Sequence, residues 1–224
     1  MFARRTQTEL NEAQIALIQA ALPHVVFDGW SQESLREAAS DAGIDVAEAK
    51  RAFPRGGVDM ALGFHRLADQ RLKAELAASD LSSMRIRDRV THCVRRRIEL
   101  VARDREAVRR GATLLALPMH APEGARAMWQ TADIIWNACG DTATDYNWYT
   151  KRAILSGVYS STVLFWLGDT DPDFHPTWAF LDRRIEGVMQ FEKTKSRLQN
   201  NPVARAAFAI PGSLLGMIRA PGAR

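Results

Sequence analysis

Apolar residues along this 224-residue chain recur every three or four positions, and sustained period-two runs of β-branched residues are almost absent. The pattern predicts an all-α protein. Ile15, Ile18, Leu22 and Val25/Val26 trace a first helical stripe that breaks at Asp28-Gly29-Trp30. Ser31 is placed to cap a short helix to Ala38, ended by Ala42-Gly43, and Asp45 to cap another that reaches Phe53 before Pro54. Met60, Phe64, Leu67, Leu72 and Leu76 then share one face of a longer helix over residues 57–77. Farther on, Ile86, Val90, Cys93/Val94, Arg97 and Val101 form a stripe, and Ala125, Met128, Trp129, Ala132, Ile135 and Trp136 a broader one that stops at Cys139-Gly140. Thr142 or Thr144 is placed to cap a helix over residues 145–167, and Pro176 suits the first turn of a last helix to about residue 198.

One longer helix, two short ones and a fourth resemble the N-terminal helix-turn-helix layer of TetR-type regulators. Trp30-Ser31, the Ala38-to-Ile44 segment and Phe53-Pro54 carry that likeness. The domain reading is a flexible arm over residues 1–10, the helix-turn-helix layer over 11–80 and a larger C-terminal helical ligand-binding layer over 81–198. A linker and tail follow over 199–224.

Composition changes this picture little. An apolar share of 46% with 25% charged residues suits a globular protein and excludes wholesale disorder. The net charge of +4 is too weak to imply nucleic acid by itself. Its distribution matters more: residues 82–110 hold ten Arg against four acids, and residues 193–224 hold six basic residues and no acid. Cys93 and Cys139 have no metal-ligand spacing. The first ten residues lack the apolar core of a secretory signal, and no stretch reaches the roughly 18 apolar residues of a spanning helix. The expectation is a cytoplasmic protein, peripheral on the inner membrane.

The common routes to catalysis are unfilled. No phosphate loop, dinucleotide fingerprint, nucleophile elbow, His-Glu-x-x-His or carboxylate-bridged di-iron pattern occurs, and the five histidines are scattered. We therefore expect no enzyme, catalytic residue, metal or cofactor. What stands out is aromatic: five of the six Trp fall between residues 129 and 178. Met128, Trp129, Ile135, Tyr159, Val163, Trp166, Phe174 and Trp178 are the candidates to line an apolar cavity between helices. On a helix, Asp145, Trp148/Tyr149 and Arg152 share one side, where two charges and two aromatics suit a semi-exposed recognition surface better than a core.

The run from Asp145 to Ala153, followed by Tyr159, Thr162, Asp169, Asp173-Phe174, Thr177-Trp178, Phe180-Leu181 and Arg184-Ile185, resembles the coenzyme-Q-nine family; Ala116-Leu117-Pro118 also fits. That resemblance implies a TetR-like homodimer that binds an isoprenoid quinone lipid and assists the di-iron demethoxyubiquinone hydroxylase. It implies that Asp145, Asn147, Trp148, Tyr149 and Arg152 dock that hydroxylase. The tail adds a basic, apolar segment in which Phe208, Ile210, Leu214, Leu215, Met217 and Ile218 are expected to meet a membrane surface. The rival reading is a DNA-binding regulator with a hydrophobic effector. Its recognition helix at residues 45–53 offsets Lys50 and Arg51 with Asp45 and Glu48 and offers no Asn or Gln to adenine, although Arg36, Arg51 and Arg55 suit phosphates. No nucleic-acid partner is therefore expected.

Overall fold

The computed structural model describes residues 9–144 and 146–200, without the side chains of Met189 and residues 191–200. All regular elements among them are helical: α1 (Glu12–Asp28), α2 (Gln32–Asp41), α3 (Val46–Ala52), α4 (Gly57–Ala78), α5 (Ile86–Glu99), a 3₁₀ turn (Ala102–Asp104), α6 (Arg105–Leu115), α7 (Ala121–Ala138), α8 (Tyr146–Gly168) and α9 (His175–Asn200). The all-α expectation and the short–short–long order after the first helix are met. The described residues form two compact units, one gathering residues 9–80 with Arg95–Thr131, the other Leu81–Val94 with residues 132–200. The sequential split at residue 80 is thus crossed by residues 95–131, which belong with the N-terminal helices.

Local chemistry sets the ends of the N-terminal helices. The Asn11 and Gln14 side chains form a capping box at α1, Ser31 and Ser34 form another at α2, and Asp45 accepts from the Ala47 and Glu48 amides at α3. Their inward faces, including Leu17, Ile18, Val25, Leu35, Phe53, Met60 and Leu72, are buried. α1 packs against α2, α3, α4 and α6. The last of these contacts brings residues 95–131 into this unit: the Trp30 indole N–H donates to the Ala107 carbonyl at 2.9 Å, and Arg110 donates to the Val26 carbonyl at 3.0 Å. α4 begins so close to the turn between α1 and α2 that a Cβ on Gly57 would stand 2.0 Å from the Trp30 carbonyl oxygen, so only glycine fits there.

A polar network crosses this apolar core. Buried Arg97 donates to Asp69 at 2.7 Å, Thr131 Oγ1 lies 2.9 Å from Asp69 and 2.9 Å from His65 Nε2, and Arg97 approaches His65 Nδ1 at 3.3 Å. With Nδ1 facing a guanidinium, His65 donates from Nε2 to Thr131, whose hydroxyl donates to Asp69. Each partner is satisfied, which is what allows charged groups to stay in an apolar interior.

In the C-terminal unit α8 packs along α9. Asp169, at the end of α8, receives hydrogen bonds from the Asp171 amide at 3.0 Å and from the Thr177 amide at 3.0 Å and its hydroxyl, pinning the turn that reverses the chain into α9. Leu155, Val158, Tyr159, Trp166, Leu181 and Ile185 supply its buried apolar face.

Candidate functional site

The segment around α8's first two turns is organised from the end of α7. There Gly140 adopts a φ of 80°, and the Gly140 and Asp141 amides donate to the carbonyls of Asn137 and Trp136 at 3.1 and 3.0 Å. This left-handed closure of α7 favours glycine and aims Asp141 at α8. Asp141 Oδ1 takes Lys151 Nζ at 2.7 Å and Oδ2 takes Arg152 Nη1 at 3.0 Å. Arg152 also donates to Asp133 at 2.5 Å, to Asn137 at 3.3 Å and to the Trp148 carbonyl at 3.2 Å. Burial alone would raise the Asp141 carboxyl, but the hydrogen bonds from Lys151 and Arg152 outweigh it and hold the group below the ordinary aspartate value.

The expected recognition surface is therefore corrected in one member. Arg152 is not semi-exposed: its side chain is 1% accessible, as is that of Asp141. Its charge is balanced by carboxylates from the preceding helix and turn, partners that helical spacing within α8 cannot reveal. Above it the guanidinium carbon lies 4.0 Å from the centre of the Trp148 ring, and Trp148 meets Tyr149 edge-on at 4.8 Å. Asn147 is exposed and Trp148 and Tyr149 are half-buried, so these three form the accessible part of the surface. Asp145 lies outside the described residues.

Beside that surface, the C-terminal unit holds an apolar groove of about 280 Å³. Ile86 and Val90 of α5, Trp136 of α7, Ile154, Leu155 and Val158 of α8, and Ile185 and Val188 of α9 form its walls; Asn147, Thr150 and Lys151 form its polar rim. None of the eight residues expected to line a cavity is among them. Met128 and Trp129 belong to the other unit. Ile135, Tyr159 and Trp166 are buried, and Val163 is half-buried on α8. Phe174 and Trp178 instead build the α8–α9 turn, where Trp166 meets Phe174 edge-on at 6.1 Å and Phe174 meets Trp178 edge-on at 6.2 Å. In that turn Phe174 adopts a φ of 56°, unusual for a large side chain.

Trp166, Phe174 and Trp178 thus serve as packing at the α8–α9 turn, while the groove walls, Trp136 apart, are aliphatic. Their signal was in the sequence as helical pairs at three- and four-residue spacing: Ile86/Val90, Ile154/Val158 and Ile185/Val188. Phe208, Ile210, Leu214, Leu215, Met217 and Ile218, expected to contact a membrane, lie outside the described residues. Among those described, no helix is long and apolar enough to cross a membrane.

Comparison with known proteins places these features. The fold resembles that of a TetR transcriptional regulator from Nitrosomonas europaea, with a TM-score of 0.65 at 17% identity over 79% of this chain and 97% of that one, so the TetR-like fold is shown. The sequence profile of the COQ9 family matches residues 121–192, which contain α8 and the turns on either side of it. The mitochondrial ubiquinone biosynthesis protein COQ9 of Rattus norvegicus is 31% identical over 200 residues, 84% of this chain and 62% of that protein. The human protein is 29% identical over 84% of this chain and 61% of its own length, so the chain spans about three-fifths of these relatives. COQ9-B of Xenopus laevis is 31% identical over 216 residues, 92% of this chain and 70% of that protein. On this sequence similarity, with the fold in agreement, the chain belongs to the COQ9 family.

Proposed function

We propose that the protein is a non-enzymatic lipid-binding accessory of ubiquinone biosynthesis, which holds an isoprenoid quinone intermediate and presents it to the di-iron demethoxyubiquinone hydroxylase. The observation that carries this reading is the junction of two features at one residue. Asn147 lines the rim of the apolar groove and stands one residue before the Trp148/Tyr149 pair. A ligand leaving the groove at that rim emerges beside the surface where a partner docks. At about 280 Å³ the groove lies just under the roughly 300–1,000 Å³ of typical ligand pockets, so it takes part of an isoprenoid chain and leaves the remainder elsewhere. Each methylene drawn from lipid costs about 0.8 kcal/mol if it meets water, and the aliphatic walls offset that cost.

In this proposal Asp145, Asn147, Trp148 and Tyr149 make the docking surface, with Arg152 as its buried support. A homodimer is part of the reading. Leu164 on α8 is 65% exposed, and exposed Phe165 stacks on Phe180 of α9 at 4.6 Å, an apolar face suited to a second copy. Membrane association is peripheral, on the inner membrane, through the tail.

The DNA-binding alternative has less support. Arg36 is engaged by Glu33 and Glu37, and Arg55 by Asp59 and Glu123, so two of the three arginines suited to phosphates already have carboxylate partners. The test of the proposal is mass spectrometry of lipid co-purified with the full chain and with Ile154→Trp, which fills the groove. An isoprenoid quinone lost from the variant supports the reading; equal lipid in both refutes it.

A further inference from the structure

Cys93 and Cys139 take no part in the surfaces described above, yet they meet inside the C-terminal unit. α5 reaches the closure of α7 through Arg89, which donates to the Cys139 carbonyl at 3.4 Å. Cys93 follows Arg89 by one helical turn and so shares the α5 face that meets this closure. There the two thiols hydrogen-bond one another. Both are buried, Cys93 completely and Cys139 with 3% of its surface accessible, and neither is in a disulfide. Cys139 nonetheless lies just under the surface, since its neighbours Ala138 and Gly140 are exposed. The hydrogen bond from Cys93 lowers the Cys139 thiol and burial raises it. The Arg89 guanidinium lowers it further against the opposing Asp141 carboxylate, and the group ends below the ordinary cysteine value. The same hydrogen bond, with burial, pushes the Cys93 thiol up. The pair is therefore asymmetric: Cys139 is the readier thiolate, and Cys93 keeps its proton.

We propose that Cys93 and Cys139 form a redox-sensitive pair, which a hydroperoxide converts into a disulfide that ties α5 to the end of α7. The Cys139 thiolate attacks one oxygen of hydrogen peroxide and the O–O bond breaks. The leaving hydroxide takes up the proton that Cys139 gave up and departs as water, and Cys139 becomes a sulfenic acid. Cys93 then loses its proton and attacks the Cys139 sulfur; the S–S bond forms, the S–O bond breaks and a second water leaves. The two thiols together lose two electrons and two protons, which the peroxide gains. The sulfurs start in contact, and the bond draws them to about 2.05 Å. Its consequences reach both parts of the site. Val90 and Trp136, each three residues before one of the cysteines, line the groove. Asp141, two residues after Cys139, holds Lys151 and Arg152. The disulfide thus fixes the separation of α5 and α7 behind the groove and anchors the turn that supports Arg152 and, through it, Trp148. The inference stands on the thiols alone and holds whatever the groove binds.

Peptide mapping by mass spectrometry tests it, on the folded full chain exposed to hydrogen peroxide, quenched, unfolded in urea and alkylated without reduction. The expected product is a Cys93–Cys139 cross-linked peptide, lighter by two hydrogens than its separate halves and lost on treatment with dithiothreitol. The oxidised chain should melt at least about 4 °C above the reduced one, because the closed loop restricts the unfolded chain. In Cys93→Ser the second thiol is gone, and dimedone should trap the sulfenic acid at Cys139. In Cys139→Ser, Cys93 should stay unmodified under the same exposure. Three outcomes of the mapping overturn the inference: both thiols still open to alkylation after peroxide, a bond between two chains in place of the internal one, or a sulfenic acid trapped at Cys93 instead of Cys139. Equal melting temperatures of the oxidised and reduced forms overturn the lock between α5 and α7. The parent chain decides the matter even where a serine variant fails to fold.

Discussion

Arg152 and Trp148 stand one helical turn apart on α8, with the buried guanidinium carbon 4.0 Å from the centre of the indole ring. The cation is also fixed by Asp133, Asp141 and Asn137, so the support under the Trp148 ring is held chiefly by side chains from the preceding helix and turn. Removing one member of a buried ion network leaves the others uncompensated, at a cost of about 3–5 kcal/mol. Arg152→Ala is therefore expected to destabilise the chain by about that amount in urea unfolding. Arg152→Lys keeps the charge but lacks the planar fork that serves several acceptors at once, and should fall between the two. Parent-like stability in Arg152→Ala would show that the network contributes nothing.

The His65 network makes stability depend on acid. Burial is the main cause that lowers His65, Asp69 opposes it, and Arg97 and Arg66 lower it further, so the imidazole titrates at about 4 instead of 6.5. Below pH 6.5 the unfolded chain takes up a proton that the folded chain refuses until about pH 4. Stability present above pH 6.5 is thus lost as pH falls through this window, by about 3 kcal/mol for a shift of this size. His65→Gln keeps an amide for Thr131 and Arg97 but cannot titrate. Its unfolding free energy should change less between pH 6.5 and 4 than the parent's, and an identical pH slope in the two proteins would remove His65 as the cause.

The helix boundaries were legible because their signals are local. Ser31 and Asp45 cap by bonding amides two or three residues onward, within the span that sequence spacing describes. The groove was less legible because its walls come from four helices, and membership depends on packing between α5, α7, α8 and α9. Aromatic density drew attention to Trp166, Phe174 and Trp178, whose size makes them good packing at the α8–α9 turn and removes them from the open wall. Arg152 shows the same limit with charge. Its partners Asp133 and Asp141 lie 19 and 11 residues earlier, and no period within one helix exposes that pairing.

Docking should depend on the half-buried Trp148 and Tyr149 rings and not on the groove. Trp148 and Tyr149 touch edge-on and present a compact aromatic patch, the kind of surface on which a few residues dominate binding. Trp148→Ala and Tyr149→Ala are expected each to cost at least about 2 kcal/mol, roughly thirtyfold, in affinity for the di-iron hydroxylase. Circular dichroism should remain parental, since neither ring is fully buried. Pull-down at parental strength from both variants would rule out this patch as the docking site.

Membrane binding separates from both of these surfaces, because it is assigned to the tail beyond Asn200. Residues 193–224 carry six basic side chains and no acid, with Phe208, Ile210, Leu214, Leu215, Met217 and Ile218 interspersed among them. Insertion of apolar side chains and attraction of basic ones to anionic headgroups act together at an interface, each too weak alone for firm attachment. Pro211-Gly212 interrupts the segment, which suits lying at a surface and not crossing it. A chain ending at Asn201 should lose co-sedimentation with vesicles containing anionic lipid, and the parent's binding should weaken as salt rises through the screening range. If the tail acts through charge alone, Leu214→Ser with Leu215→Ser leaves parental binding unchanged at low salt; if apolar insertion contributes as argued, that variant binds measurably less at every salt concentration. Equal sedimentation of the full and shortened chains would place membrane contact elsewhere on the protein.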